Sequence, residues 1–336
     1  MNETIGVLGA GSWGTALAGL LAGKGHEVRL WSYEPDVADS INTRHENARY
    51  LAGVQLPERL AAFTEIGETV DQATTVVSVS PAQHVRRVLA EARPRLGEDV
   101  RIVSASKGLE TRSLATMAEV IADVLPGKAT LRASFLSGPS FAAEVARGLA
   151  TAVTIASHDA HAAKHAQAVF QTPYFRVYTS ADVVGVELGG ALKNVIALAA
   201  GMAVGLGLGH NATAALITRG LAEIARLGVA LGANPLTLSG LSGMGDLILT
   251  CTGDLSRNRH VGVELGEGRD LRDVLADMTM VAEGVETSRA ARELAQREGI
   301  EMPVVEEVHA VLFEGRTARE ALENLMLREP KAELWR

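Results

Sequence analysis

A mostly parallel, doubly wound α/β domain followed by an all-helical domain is the architecture predicted for this chain of 336 residues. Three features predict it. Short β-rich apolar runs alternate with helical patterns through the first half. A glycine-rich turn joins the first strand to the first helix, and no convincing strand pattern follows Tyr178. The division is expected near residue 180, with 1–180 forming the sheet domain and 181–336 the helical one.

Composition narrows the class. Apolar residues make up 47% of the chain but aromatics only 4%, so its cores must be built from small aliphatic side chains and close backbone contacts. A formal charge of −8, without a basic run, leaves no electrostatic footprint for DNA or RNA. The single cysteine, Cys251, excludes an internal disulfide framework and fits a reducing compartment. The N-terminus enters a strand at once, with no secretory signal pattern. The apolar run Val195 to Gly209 covers about four turns, short of the roughly 20 residues of a membrane span. A soluble, cytoplasmic protein is the expectation.

The first strand, Thr4 to Leu8, runs into Gly9-Ala10-Gly11-Ser12-Trp13-Gly14, a helix to about Lys24, and a second strand, Glu27 to Trp31. This is a GxGxxG in the strand–turn–helix context that gives it meaning. Gly9 permits the tight turn, Gly11 lets a pyrophosphate approach, and Gly14 lets the helix pack on the strand. The helix N-terminus adds free N–H groups and a positive dipole end, so dinucleotide binding, and with it a Rossmann-type domain, is predicted. Neither the acid that grips a ribose diol nor an arginine for a 2′-phosphate ends the second strand. Trp31-Ser32-Tyr33-Glu34 stands there, and the choice between NAD and NADP stays open.

Further strands are expected at Thr74–Val79, Val100–Ser104, Leu131–Ser137, Ala152–Ala156 and Phe175–Tyr178, with helices over Ala82–Ala92 and Ser113–Val124. Ser80-Pro81, Lys107 and Gly138 to Ser140 fall at strand ends, where ligands bind in such sheets, with an ordinary loop lysine as the other reading of Lys107. His158, His161 and His165 share a helix face but lack a second cluster to complete a metal shell, and a solvated face is the better reading. No metal site is expected.

Beyond residue 180 the informative stretch is Glu187 to Asn211. Lys193 is the only fully charged side chain between Leu188 and Thr218. Burial there would lower its pKa toward values useful for proton transfer; a lysine snorkelling to water would not be perturbed. Gly243-Met244-Gly245 precedes Asp246, an arrangement suited to aiming a carboxylate. Ser256 can cap a helix opening with Arg257 and Asn258, which together suit a phosphate monoester; a purely structural cap with solvated arginines fits the local sequence equally. A loop-rich region is expected over Ser239–Arg259, and helices near Ala212–Leu231, Val261–Leu265, Leu271–Met278, Glu286–Glu298, Val304–Glu314 and Ala318–Leu327.

The motifs GAGSWGTALA, SASKGLE, SGPSFAAEVARG, ELGGALKNVIALAAG, GLSGMGDLILTCTGDLSRNR and VAEGVETS occur in order over nearly the whole chain. With them the sequence resembles the bacterial-type NAD(P)-dependent glycerol-3-phosphate dehydrogenases. That resemblance implies reduction of dihydroxyacetone phosphate to sn-glycerol 3-phosphate with NAD(P)H, supplying phospholipid synthesis, and a helical domain that supports a homodimer. It implies Lys193 as the proton acceptor in oxidation and donor in reduction. Lys107, Gly138, Ser140, Asp246, Ser256, Arg257 and Asn258 match substrate-contacting positions. Ser12, Trp13, Tyr33, Lys107, Ala142, Arg257, Val281 and Glu283 match cofactor-contacting ones. Many relatives carry a basic residue in place of Tyr33 or Glu34, and its absence tells against a strong NADPH preference. The alkoxide formed on ketone reduction needs a proton and positive charge, which Lys193 would supply while Asp246 and Lys107 hold hydroxyls and bias its protonation. A β-hydroxyacid dehydrogenase of the 6-phosphogluconate type is the nearest rival enzyme. A non-catalytic nicotinamide sensor is the rival from another class.

Overall fold

The computed structural model describes residues 2–330, 332 and 333; the last positions of the expected helical domain, 331 and 334–336, lie outside the described residues. The first half alternates β1 (Thr4–Leu8), α1 (Ser12–Gly23), β2 (Glu27–Trp31), α2 (Pro35–Arg44), β3 (Leu60–Phe63), α3 (Ile66–Val70), β4 (Thr75–Ser78), α4 (Val85–Ala92), β5 (Arg101–Ser104), α5 (Met117–Val124), α6 (Lys128–Leu131), β6 (Ser134–Ser137), α7 (Ala142–Ala146), β7 (Thr151–Ala156), α8 (Ala160–Phe170) and β8 (Phe175–Ser180). One eight-stranded sheet results, in the order β3-β2-β1-β4-β5-β6-β7-β8. It is parallel except where β6 meets β7. Strand order reverses beside β1, so the glycine turn that leaves β1 lies at the switch point where such sheets bind ligands.

Two local departures from expectation have physical causes. Strand β3, with the sequence LAAF, is a short edge strand whose alanines carry little β propensity, and it gives no sequence signal. The helix expected from Ser113 begins only at Met117. Leu114 lies in the left-handed region (φ 60°), and Thr116 and Glu119 close a reciprocal capping box at the later start.

The second half is helical among the described residues: α9 (Val183–Gly205), α10 (Gly209–Ala230), α11 (Pro235–Leu238), α12 (Asp246–Thr252), α13 (Arg257–Gly266), α14 (Leu271–Ala276), α15 (Glu283–Glu298), α16 (Pro303–Phe313) and α17 (Ala318–Met326). The region expected to be loop-rich is more ordered than that. A single π turn over Leu241–Gly245 feeds directly into α12, so Asp246 sits on a helix. Such π turns recur at functional sites.

Helix α9 is the axis of the helical half. At 23 residues it is long and apolar enough to cross a membrane, so the expected argument from length does not hold. Burial inside the protein accounts for its composition, since 89% of its most apolar window is enclosed. Its glycines set the packing. A Cβ on Gly201 would stand 2.2 Å from the Arg259 carbonyl oxygen, and one on Gly262 of α13 would stand 2.2 Å from that of Leu198. The backbones of α9 and α13 therefore touch, which brings the N-terminus of α13 alongside Lys193.

Candidate active site

The glycine turn fits a dinucleotide diphosphate on three observations. A Cβ on Gly14 would lie 1.8 Å from the Gly9 carbonyl oxygen, so only glycine lets α1 seat on the turn. A Cβ on Gly11 would meet nothing within 4 Å, which leaves open space on the side a ligand would approach. Helix α1 starts without a side-chain cap or an acid in its first turn, so its N–H groups stay available to an anion. Beside them the Trp13 Nε1 donor is buried without a partner among the described residues. Asn47 fixes the turn from behind, donating to Ala10 O and Thr15 Oγ1 at 2.8 Å each.

The remaining positions expected at the cofactor gather from several elements. Ser12 Oγ lies 3.5 Å from Met280 Sδ, which places the segment carrying exposed Val281 across the glycine turn. Ala142 opens α7, which packs on α1. Glu283 accepts from the Ala82 N–H at 3.3 Å. Burial pushes its carboxyl up to about 7, against the opposing pull of that N–H and of Arg257. Tyr33 lies two residues past the end of β2, 72% exposed and edge-on to the Trp31 ring.

Lys193 is enclosed, not snorkelling, with only 6% of its surface exposed. Its Nζ donates to Asp246 Oδ1 at 2.5 Å and to Thr250 Oγ1 at 2.9 Å. Lys107 reaches the same carboxylate from the other domain, donating to Asp246 Oδ2 at 2.7 Å and to Gly138 O at 3.1 Å. Each ammonium has three donors, so each keeps one N–H for a ligand. Ser140 Oγ also donates to Gly138 O, at 2.9 Å, and ties the 138–140 turn to this array. Gly138 itself has φ 134°, a conformation that favours glycine.

The electrostatics of the array follow from its order of charges. Burial pulls Lys193 down to about 8, opposed by the attraction of Asp246 and assisted by the repulsion of Lys107. Burial would raise the Asp246 carboxyl, but the two lysines outweigh it and hold it below the ordinary carboxylate value. Asp246 is thus a permanent anion between two cations, and Lys193 is the member poised to exchange a proton near neutrality. Cys251, the next residue after Thr250, has its thiol pushed up to about 12 by burial and stays inert.

The α13 N-terminus stands beside this array. Ser256 Oγ caps the helix by accepting from the Arg259 N–H at 3.2 Å. Asn258 accepts from the Gly284 N–H at 2.9 Å and donates to Asn194 Oδ1 at 3.0 Å, locking α13, α15 and α9 together beside Lys193. Arg257 makes no salt bridge among the described residues, although Glu283 lies close enough to act on its charge. Burial lowers the pKa of its guanidinium, and a partly enclosed guanidinium with no ion pair among the described residues is equipped for a ligand's anionic group.

The expected histidine face carries no cluster: His158 and His161 are exposed, while His165 pairs with Glu3 at 2.7 Å. Three residues that bind the site together escape sequence reading. Thr250 lies one helical turn after Asp246, a spacing visible only once α12 is known to be a helix. Asn194 directly follows the singled-out lysine. Asn47 lies between elements and carries no motif.

Both halves of the chain match known proteins. The family model for the N-terminus of NAD-dependent glycerol-3-phosphate dehydrogenase matches residues 4–163, and that for its C-terminus matches 182–323. The chain is 56% identical over 328 residues to glycerol-3-phosphate dehydrogenase [NAD(P)+] of Myxococcus xanthus, covering 98% of each chain. It is 54% identical to the enzyme of the same name from Citrifermentans bemidjiense, covering 99% of each. The crystal structure of glycerol-3-phosphate dehydrogenase from Coxiella burnetii superposes with a TM-score of 0.93 at 40% identity, covering 97% of this chain and 99% of the other. With both halves matched and whole-length relatives above half identity, the chain belongs to the NAD-dependent glycerol-3-phosphate dehydrogenase family.

Proposed function

We propose that the protein interconverts dihydroxyacetone phosphate and sn-glycerol 3-phosphate with NAD(P)H, and that Lys193 moves the proton at the C2 oxygen. The observation that carries the reading is the Lys107–Asp246–Lys193–Thr250 array, in which Asp246, Lys193 and Thr250 are buried and beside which Asn258, next to Arg257, bonds Asn194. The cofactor, when bound, supplies the hydride chemistry. This chain's residues do the rest. The free N–H of Lys193 donates to the C2 oxygen as negative charge develops there, and in oxidation the neutral amine takes the hydroxyl proton. Asp246 and Thr250 fix the amine in place. Lys107, with the 138–140 turn, holds the neighbouring hydroxyl.

At the far end of the substrate, Arg257, with Ser256 and Asn258, binds the phosphate. Binding energy remote from the reacting carbon then orients C2 and excludes water. Gly9, Gly11, Ser12, Trp13 and Gly14 hold the diphosphate, and Tyr33, Ala142, Val281 and Glu283 line the rest of the cofactor cleft. The division of labour in this reading is a cofactor-binding half, 1–180, and a substrate half, 181–336, supported by the change from strands to helices after β8. Pairing into a homodimer through the helical domain, a cytoplasmic setting and supply of glycerophospholipid synthesis rest on the family resemblance.

The test is direct. Purified protein should oxidise NADH or NADPH when dihydroxyacetone phosphate is added. A folded protein that oxidises neither would overturn the reading.

A further inference from the structure

The end of β2 is built differently from the sites that grip either a ribose diol or a 2′-phosphate. The Gly9 N–H donates to Trp31 O at 3.3 Å, so the residues following Trp31 lie directly beside the glycine turn. Ser32 is buried, with its N–H on Phe63 O and its Oγ on Glu34 O, and it offers nothing to a ligand. Glu34 comes two residues later, half-buried at the N-cap position of α2, where its side chain makes no capping hydrogen bond. Its Oε1 accepts from the Tyr50 hydroxyl at 2.6 Å, and its Oε2 has no hydrogen-bond partner among the described residues. Tyr50 is itself positioned by the glycine turn. Its N–H donates to Asn47 Oδ1 at 3.1 Å, and Asn47 donates to Ala10 O. A carboxylate sixteen residues away from its tyrosine in sequence is thus held beside the dinucleotide turn with one oxygen committed and one free.

The cations nearby are already paired. Arg49 lies over the Tyr50 ring and 3.8 Å from Asp36, and Arg44 pairs with Glu46 at 3.0 Å. A 2′-phosphate, carrying nearly two negative charges, would meet the Glu34 carboxylate before any unpaired guanidinium. A ribose hydroxyl would instead donate to the free Oε2, a charge-assisted bond.

We propose that Glu34, oriented by Tyr50, selects an unphosphorylated adenosine ribose, so that this enzyme uses NADH in preference to NADPH. The inference rests on the cofactor placement of the preceding section and adds the choice between its two forms.

The experiment measures kcat/KM for NADH and for NADPH, with saturating dihydroxyacetone phosphate, in the wild type, Glu34→Gln and Tyr50→Phe. Circular dichroism and melting establish that each variant is folded. The wild type should favour NADH by about tenfold or more, the worth of one charged hydrogen bond. Glu34→Gln should lower the NADH value and raise the NADPH value, moving their ratio by about 10- to 100-fold. Tyr50→Phe should move the ratio in the same direction by less, because the charge stays and only its aim is lost. A wild type that favours NADPH, or a folded Glu34→Gln with an unmoved ratio, would overturn the proposal. Gly11→Val separates this from failure of the underlying site. It should abolish binding of both cofactors alike, and if it binds both normally the cofactor placement itself is wrong.

Discussion

Replacing Asp246 with asparagine keeps the shape of the array and removes its only anion. Asp246 is 1% exposed and carries Lys193 at 2.5 Å on one oxygen and Lys107 at 2.7 Å on the other. At an effective permittivity of about 20, a unit charge about 4 Å away contributes about 4 kcal/mol, or about 3 pH units of pKa. Lys193 stands at about 8 with that attraction in place. Without it, burial and the repulsion of Lys107 act unopposed, and the Lys193 pKa should fall to neutrality or below. The assay is the pH profile of kcat/KM for glycerol 3-phosphate oxidation, which reports the free enzyme. In the wild type the neutral base appears as pH rises through about 8, so the rate climbs across that range. In Asp246→Asn the climb should move by about 1–3 units toward acid, and kcat should fall by about 100-fold or more as the amine loses its fixed position. The change also breaks a buried pair, at about 3–5 kcal/mol of stability, so profiles must be taken well below the melting temperature. A folded variant with the wild-type profile would refute the assigned coupling of Asp246 to Lys193.

Reduction should show the mirror image in the wild type. The protonated Lys193 is the donor there, so kcat/KM for dihydroxyacetone phosphate should fall as pH rises through about 8, and a flat profile across that range would contradict the assignment. Arg257→Ala should raise KM for dihydroxyacetone phosphate by about 10- to 100-fold with a smaller change in kcat, the loss of bonds between a guanidinium and a phosphate. An unchanged KM would remove Arg257 from the phosphate site. Gly262→Ala forces a Cβ to 2.2 Å from the Leu198 carbonyl oxygen, in backbone that has no freedom to turn away. It should cost about 1–3 kcal/mol and lower Tm by several degrees, measured by calorimetry, and an unaltered Tm would show that α9 and α13 are not locked by their glycines.

Much of the site was legible because its chemistry lies on rigid local patterns. The turn at Gly9 to Gly14 sits between a strand and a helix of unmistakable period, and the cap at Ser256 announces where Arg257 must stand. Lys193 was conspicuous because charge is so costly in the stretch around it, although composition could not say whether it was enclosed or snorkelling. Enclosure is a tertiary fact, set by α12, α13 and α15 closing on α9. What stayed hidden depended on contacts distant in sequence. Tyr50 orients Glu34 across a loop, Asn258 locks onto Asn194 from 64 residues away, and the edge strand β3 has almost no β propensity of its own. The length of α9 shows the limit of pattern alone. A helix able to span a membrane by composition is buried here by its neighbours.

The central claim is that Lys193 carries the proton at C2. The most direct test is the rate of hydride transfer in a single turnover of Lys193→Met, with cofactor binding measured separately by fluorescence titration. Hydride transfer should slow by about 100- to 10,000-fold, the usual worth of a positioned acid or base, with cofactor affinity retained. Hydride transfer at the wild-type rate in the cofactor-loaded variant would contradict it.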